Sequence, residues 1–139
     1  SDRHLPSARL ELVASRGPWL TEPLPAAAIT WACALTASAL PERQPFAALH
    51  AALSALLDAV CHAPSARGWL PGLIAFEGLV LRELGYGAVP RPDGGGDWAE
   101  QLAGFDTLGP LIERYALAER HGGVMGARVM LRERLARIT

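Results

Sequence analysis

Trp69-Leu70-Pro71-Gly72-Leu73-Ile74-Ala75-Phe76-Glu77-Gly78-Leu79-Val80-Leu81-Arg82-Glu83-Leu84-Gly85 carries the signals of one complete helix. Pro71 suits a first turn, where its missing N–H is not needed. Leu70, Leu73, Ile74, Val80, Leu81 and Leu84 recur at helical spacing and form one apolar stripe. Gly85 follows as a C-terminal stop. Glu77 breaks the pattern, because it falls at the centre of the stripe. A carboxylate there is costly unless it is hydrogen-bonded or paired. Two readings follow. Glu77 fixes helix register through an arginine or backbone N–H groups, or it is a general base with a raised pKa in a cleft. No cleft partner is visible in sequence, so the structural role is preferred. Arg128 is the expected partner, since it flanks the apolar face of the last helix.

The same signals extend outward from this segment. Ala26 to Leu40 reads as a helix between Pro25 and Pro41. Pro45 to His62 reads as a second, striped by Phe46, Leu49, Leu53, Leu56, Leu57 and Val60. Pro90, Pro92 and Gly94-Gly95-Gly96 make a loop of the segment from Ala88. Asp97 is placed to cap a short helix through Ala103. A separate helix is expected from Pro110 to Arg120, ended by Gly122-Gly123, and a last one from Val124 to Ile138. Ala8 to Ala14 alternates apolar and polar residues and reads as a strand or extended arm. The expected fold is all-α: a compact bundle of about five or six helices over residues 17–139, preceded by an extended arm over residues 1–16.

Composition narrows the function. The 139 residues suit one domain. Half are hydrophobic and 19% charged, which excludes a wholly disordered chain. A net charge of -1 excludes a uniformly basic nucleic-acid binder. There is no lysine, so all 13 cations are arginine. Six arginines against two glutamates give the segment from Arg114 a local charge of +4; seven arginines against twelve acids leave −5 on the rest. Arg128 and Arg132 lie four apart on one flank of the last helix, with Arg134 and Arg137 on the other side. Paired guanidinium donors suit phosphate or carboxylate. Cations near a helix C-terminus also suit the dipole of a solvated face.

Enzyme signatures are sparse. His4, His50, His62 and His121 are scattered, and adjacent Cys61 and His62 point to different sides of a helix. Gly94-Gly95-Gly96 lacks the strand–loop–helix setting of a phosphate loop. Cys33 and Cys61 cannot close a tetrahedral zinc site alone, so no zinc and no cofactor is expected. They read as buried thiols. The apolar run from Leu24 to Pro41 is short for a membrane span, and the expected compartment is the cytoplasm.

Phe76-Glu77-Gly78-Leu79-Val80-Leu81-Arg82-Glu83-Leu84-Gly85-Tyr86-Gly87 resembles a helix-ending segment of RecO, the bacterial recombination mediator. Leu40-Pro41-Glu42-Arg43-Gln44-Pro45 is similar to the preceding part of RecO proteins of α-proteobacterial type, and Leu111-Ile112-Glu113-Arg114-Tyr115-Ala116-Leu117 and Ala127-Arg128 to their closing helices. Leu10-Glu11-Leu12-Val13 looks like the strand that ends the family's N-terminal OB domain, most of which is missing here. Many members carry a four-cysteine zinc module after the Gly-Tyr/Phe-Gly turn; no cysteine follows Cys61 here.

The resemblance implies a non-enzymatic helical module of DNA repair and recombination. Its implied partners are single-stranded DNA and the C-terminal tail of single-stranded-DNA-binding protein (SSB), with RecR a partner of the full-length protein. Arg128, Arg132, Arg134 and Arg137 are the expected DNA contacts, and Arg114, Arg120 and Tyr115 the expected peptide contacts. Glu77, Gly85, Tyr86 and Gly87 are expected to be structural. The competing reading is a helical scaffold or dimerisation domain without nucleic-acid contact.

Overall fold

The computed structural model describes residues 23–39, 47–85, 96–117 and 123–138. Five α-helices run through them: α1 (Pro23–Ala39), α2 (Ala47–His62), α3 (Leu70–Glu83), α4 (Trp98–Leu111) and α5 (Val124–Leu135). A 3-10 turn, Ala66–Gly68, precedes α3, and a π-helical turn, Ile112–Ala116, follows α4. The described residues contain no strand, which makes the fold all-α. The arm over residues 1–16, Tyr86, Gly87 and Arg120 lie outside the described residues. No described helix is long and apolar enough to cross a membrane.

α1 is the central element. It contains no charged side chain, and Ala27, Ala28, Ile29, Trp31, Ala32, Cys33, Leu35 and Thr36 are all buried. A helix apolar around most of its girth must be enclosed by others. It packs against α2 and most extensively against α5, while α3 lies between α2 and α4. Trp31, Trp69, Phe105, Leu57 and Leu73 are among the largest fully buried side chains. Cys33 and Cys61 are buried as reduced thiols.

Local chemistry sets the helix ends. Pro71 stands in the first turn of α3, and Gly85 adopts φ +99° just past its end. That left-handed conformation favours glycine. Asp97 caps α4 by accepting from the Glu100 N–H at 2.8 Å, and the Glu100 carboxylate accepts from the Asp97 N–H at 3.1 Å. This reciprocal capping box satisfies two donors that helix geometry leaves orphaned.

Two expectations are corrected. The helix started by Asp97 does not stop at Ala103; it runs to Leu111, and no new helix starts at Pro110. Pro110 sits inside the last turn, where it removes one backbone bond. Phe105, Leu108 and Ile112 are buried on either side of it, so core packing carries the helix past the proline. The chain then widens: the Leu117 N–H donates to the Ile112 carbonyl at 3.0 Å, five residues back. The last helix ends at Leu135, not Ile138, with hydrogen-bonded turns completing the segment.

Candidate arginine surface and the buried Glu77–Arg128 junction

Glu77 is fully buried on the core face of α3. Arg128 of α5, only 5% exposed, meets it side-on. Arg128 Nη2 donates to Glu77 Oε1 at 2.8 Å and Arg128 Nε to Oε2 at 3.0 Å. Trp31 of α1 donates its indole N–H to Oε2 at 2.7 Å. Arg128 Nη2 also donates to the main-chain carbonyl of Phe105 in α4. The guanidinium carbon lies 3.7 Å from the centre of the Phe105 ring and 5.8 Å from that of Trp31. Four helices therefore converge on one ion pair.

Burial pushes the Glu77 carboxyl above the ordinary carboxylate range, against the opposing pull of Arg128 and Trp31. Gly109 of α4 makes room for the cation. A Cβ at that position would stand 2.6 Å from Arg128 Nη1.

One turn further along α5, Arg132 makes a second, outer contact. Its Nε donates to Asp106 Oδ1 at 2.6 Å and its Nη2 to Oδ2 at 3.0 Å. This pair is partly exposed, at 33% for the Arg132 side chain and 48% for Asp106. The Asp106 hydrogen bond holds the Arg132 guanidinium above its usual range. α5 thus reaches α3 and α4 through two arginines, in positions where its backbone stays further away.

Arg134 and Arg137 line an open groove of about 330 Å³ with Pro23, Leu24 and Pro25 of α1. Arg134 is half-buried; its Nη2 lies 3.8 Å from Met130 Sδ, and its Nε is buried with no acceptor among the described residues. Arg137 is exposed. Val129 and Met130 are also exposed, at 55% and 51%. Arg114 and Tyr115 are exposed on the π-helical turn, with the Arg114 guanidinium 5.3 Å from the Tyr115 ring centre.

Arg128, Arg132 and Arg134 of α5 and Arg137 just past its end do not form one surface. Arg128 faces inward with its Nε and Nη2 donors engaged, which withdraws it from the expected DNA-contacting set. The remaining three face outward, Arg132 beside a competing carboxylate. Sequence reasoning did not identify Trp31, Phe105, Asp106 or Gly109 as participants. For Asp106 no local signal existed: its carboxylate is half-exposed and solvated, so unlike buried Glu77 it does not require a cation.

Residues 21–89 match the family described as Recombination protein O C terminal. A DNA repair protein RecO from Acidiphilium cryptum (strain JF-5) is 43% identical over 68 residues, 49% of this chain. That match spans only 26% of the relative's length. No solved structure matches the chain. The family match includes Trp31, Glu77 and Gly85; α4, α5 and their arginines lie beyond it. The chain carries, across residues 21–89, a domain of the RecO C-terminal family.

Proposed function

We propose that this helical domain is a non-enzymatic accessory module of DNA repair and recombination, working in the cytoplasm. It contacts single-stranded DNA weakly through Arg132, Arg134 and Arg137. It contacts the acidic, aromatic-ended SSB tail through Arg114, Arg120 and Tyr115, and RecR is a further partner in the setting of a full-length RecO. Family membership supports the role in repair. The observation that carries the DNA contact is the outward set of Arg132 and Arg134 on α5 and Arg137 just past its end, beside which the helix bears only Glu133. Guanidinium groups grip phosphate through paired N–H donors, and few contacts make the binding weak and salt-sensitive.

Fluorescence anisotropy with a labelled single strand at low salt tests this reading. Charge reversal at Arg134 and Arg137 together is expected to remove binding, and neutralising both to lower the salt slope by about 1.4, at about 0.7 per phosphate contact. Unchanged binding in the reversal variant would place the DNA elsewhere. Asp106→Asn frees Arg132 from its competitor and is expected to tighten binding about two- to fivefold, the range of an exposed ion pair. Calorimetry with the peptide tests the second contact, and Arg114→Glu is expected to abolish its heat.

The second reading, self-association without DNA contact, is favoured by the adjacent exposed Val129 and Met130. A sedimentation mass of two chains with no DNA affinity would select it.

A further inference from the structure

The groove between the start of α1 and the end of α5 combines two unlike walls. One side is apolar: Pro23, Leu24 and Pro25. The other carries the Arg134 and Arg137 guanidiniums, three residues apart across the end of α5, where the Arg137 N–H donates to the Arg134 carbonyl at 3.2 Å. α1 adds its positive N-terminal end and has no acid in its first turn. The Arg134 Nε is a buried donor with no acceptor among the described residues.

We propose that this groove is a subsite for one nucleotide unit of a single strand. Its phosphate lies between Arg134 and Arg137, and its unpaired base lies against Pro23, Leu24 and Pro25. The inference rests on the DNA-binding reading above and deepens it, because it assigns the preference for single strands to the apolar wall. In a duplex the bases face each other and cannot reach that wall. The volume of about 330 Å³ is on the scale of one nucleotide. The groove is open, which suits a polymer that continues on both sides of each unit. An aromatic-ended peptide needs a more enclosed pocket for its anchor.

The test compares an oligo-dT strand, an abasic strand of equal phosphate count, and a duplex, each titrated into the 139-residue chain. Oligo-dT is expected to bind about three- to tenfold more tightly than the abasic strand, a modest apolar share beside the phosphate contacts. Arg134→Gln is expected to bring oligo-dT down to the abasic level or below. Pro23→Asp places a carboxylate at the groove and is compatible with the fold, because an acid suits a helix N-terminus. It is expected to abolish the preference for oligo-dT over abasic DNA.

Equal affinity for the oligo-dT and abasic strands in the unaltered protein would overturn the base wall. Displacement of oligo-dT by an acidic peptide whose own binding needs Arg134 would make the groove a peptide site instead. No binding of any strand would overturn the DNA-binding reading and this inference together, whereas binding untouched by either variant would overturn the inference alone.

Discussion

Glu77→Ala is expected to destabilise the domain by about 3–5 kcal/mol, because it strands the buried Arg128 charge. For a chain of this size that is a fall in melting temperature on the order of 10–20 °C. The guanidinium would keep its contact to the Phe105 carbonyl but lose both carboxylate oxygens. Trp31 would lose the acceptor of its indole N–H as well. The double variant Glu77→Leu with Arg128→Met is expected to recover most of the loss, since matched apolar side chains carry no desolvation cost. Adding Trp31→Phe is expected to recover more by removing the orphaned donor, worth about 1–3 kcal/mol. Urea denaturation across this cycle checks all three. A Glu77→Ala variant as stable as the unaltered protein would contradict the geometry.

The raised pKa of Glu77 gives the same cycle a pH signature. Its desolvation exceeds what Arg128 and Trp31 return, so the native state holds the proton more readily than the unfolded chain does. The contribution of this group is therefore fully present below its ordinary pKa and declines as pH rises through the higher folded value. Relative to the apolar double variant, the unaltered protein is expected to gain stability as pH is lowered through that window.

Gly109→Ala is the second large effect expected, about 1–3 kcal/mol of destabilisation from overpacking alone. The added Cβ would meet Arg128 Nη1 at 2.6 Å. The guanidinium cannot give way freely, because Glu77, the Phe105 carbonyl and the Phe105 ring hold it. Gly126 on α5 provides the control. A Cβ there meets nothing within 4 Å, so Gly126→Ala is expected to stabilise by up to about 1 kcal/mol through helix propensity. The same chemical change thus has opposite signs at two helical glycines, and parallel urea titrations read both.

Most of the bundle was legible in local signals. Pro71 and Gly85 mark the ends of α3, Asp97 marks the start of α4, and the leucine stripes mark the faces. Pro110 misled because its local preference is to start or break a helix. Core burial of Phe105, Leu108 and Ile112 outweighs the one backbone bond it removes. The meeting of Glu77 and Arg128 was legible because a lone acid in an apolar stripe demands a nearby cation. What sequence could not show is which arginines turn inward. Arg128 and Arg132 occupy equivalent flank positions, and only the acid opposite each, Glu77 deep in the core or Asp106 at the surface, separates them. Trp31 was hidden for a related reason: its indole is the one N–H donor among the apolar side chains of α1, but nothing local tells which distant acceptor it will meet.

The extensive packing of α1 on α5 also shapes how the chain reaches this structure. α2, α3 and α4 all lie between these two helices in sequence. Contacts among α1, α2 and α3 join near neighbours, close short loops and can form early. Seating α5 closes the longest loop and fixes the most chain before its contacts give anything back. The end of the chain is therefore the late-docking piece of the folding reaction, and the Glu77–Arg128 pair is the latch that shuts when it arrives.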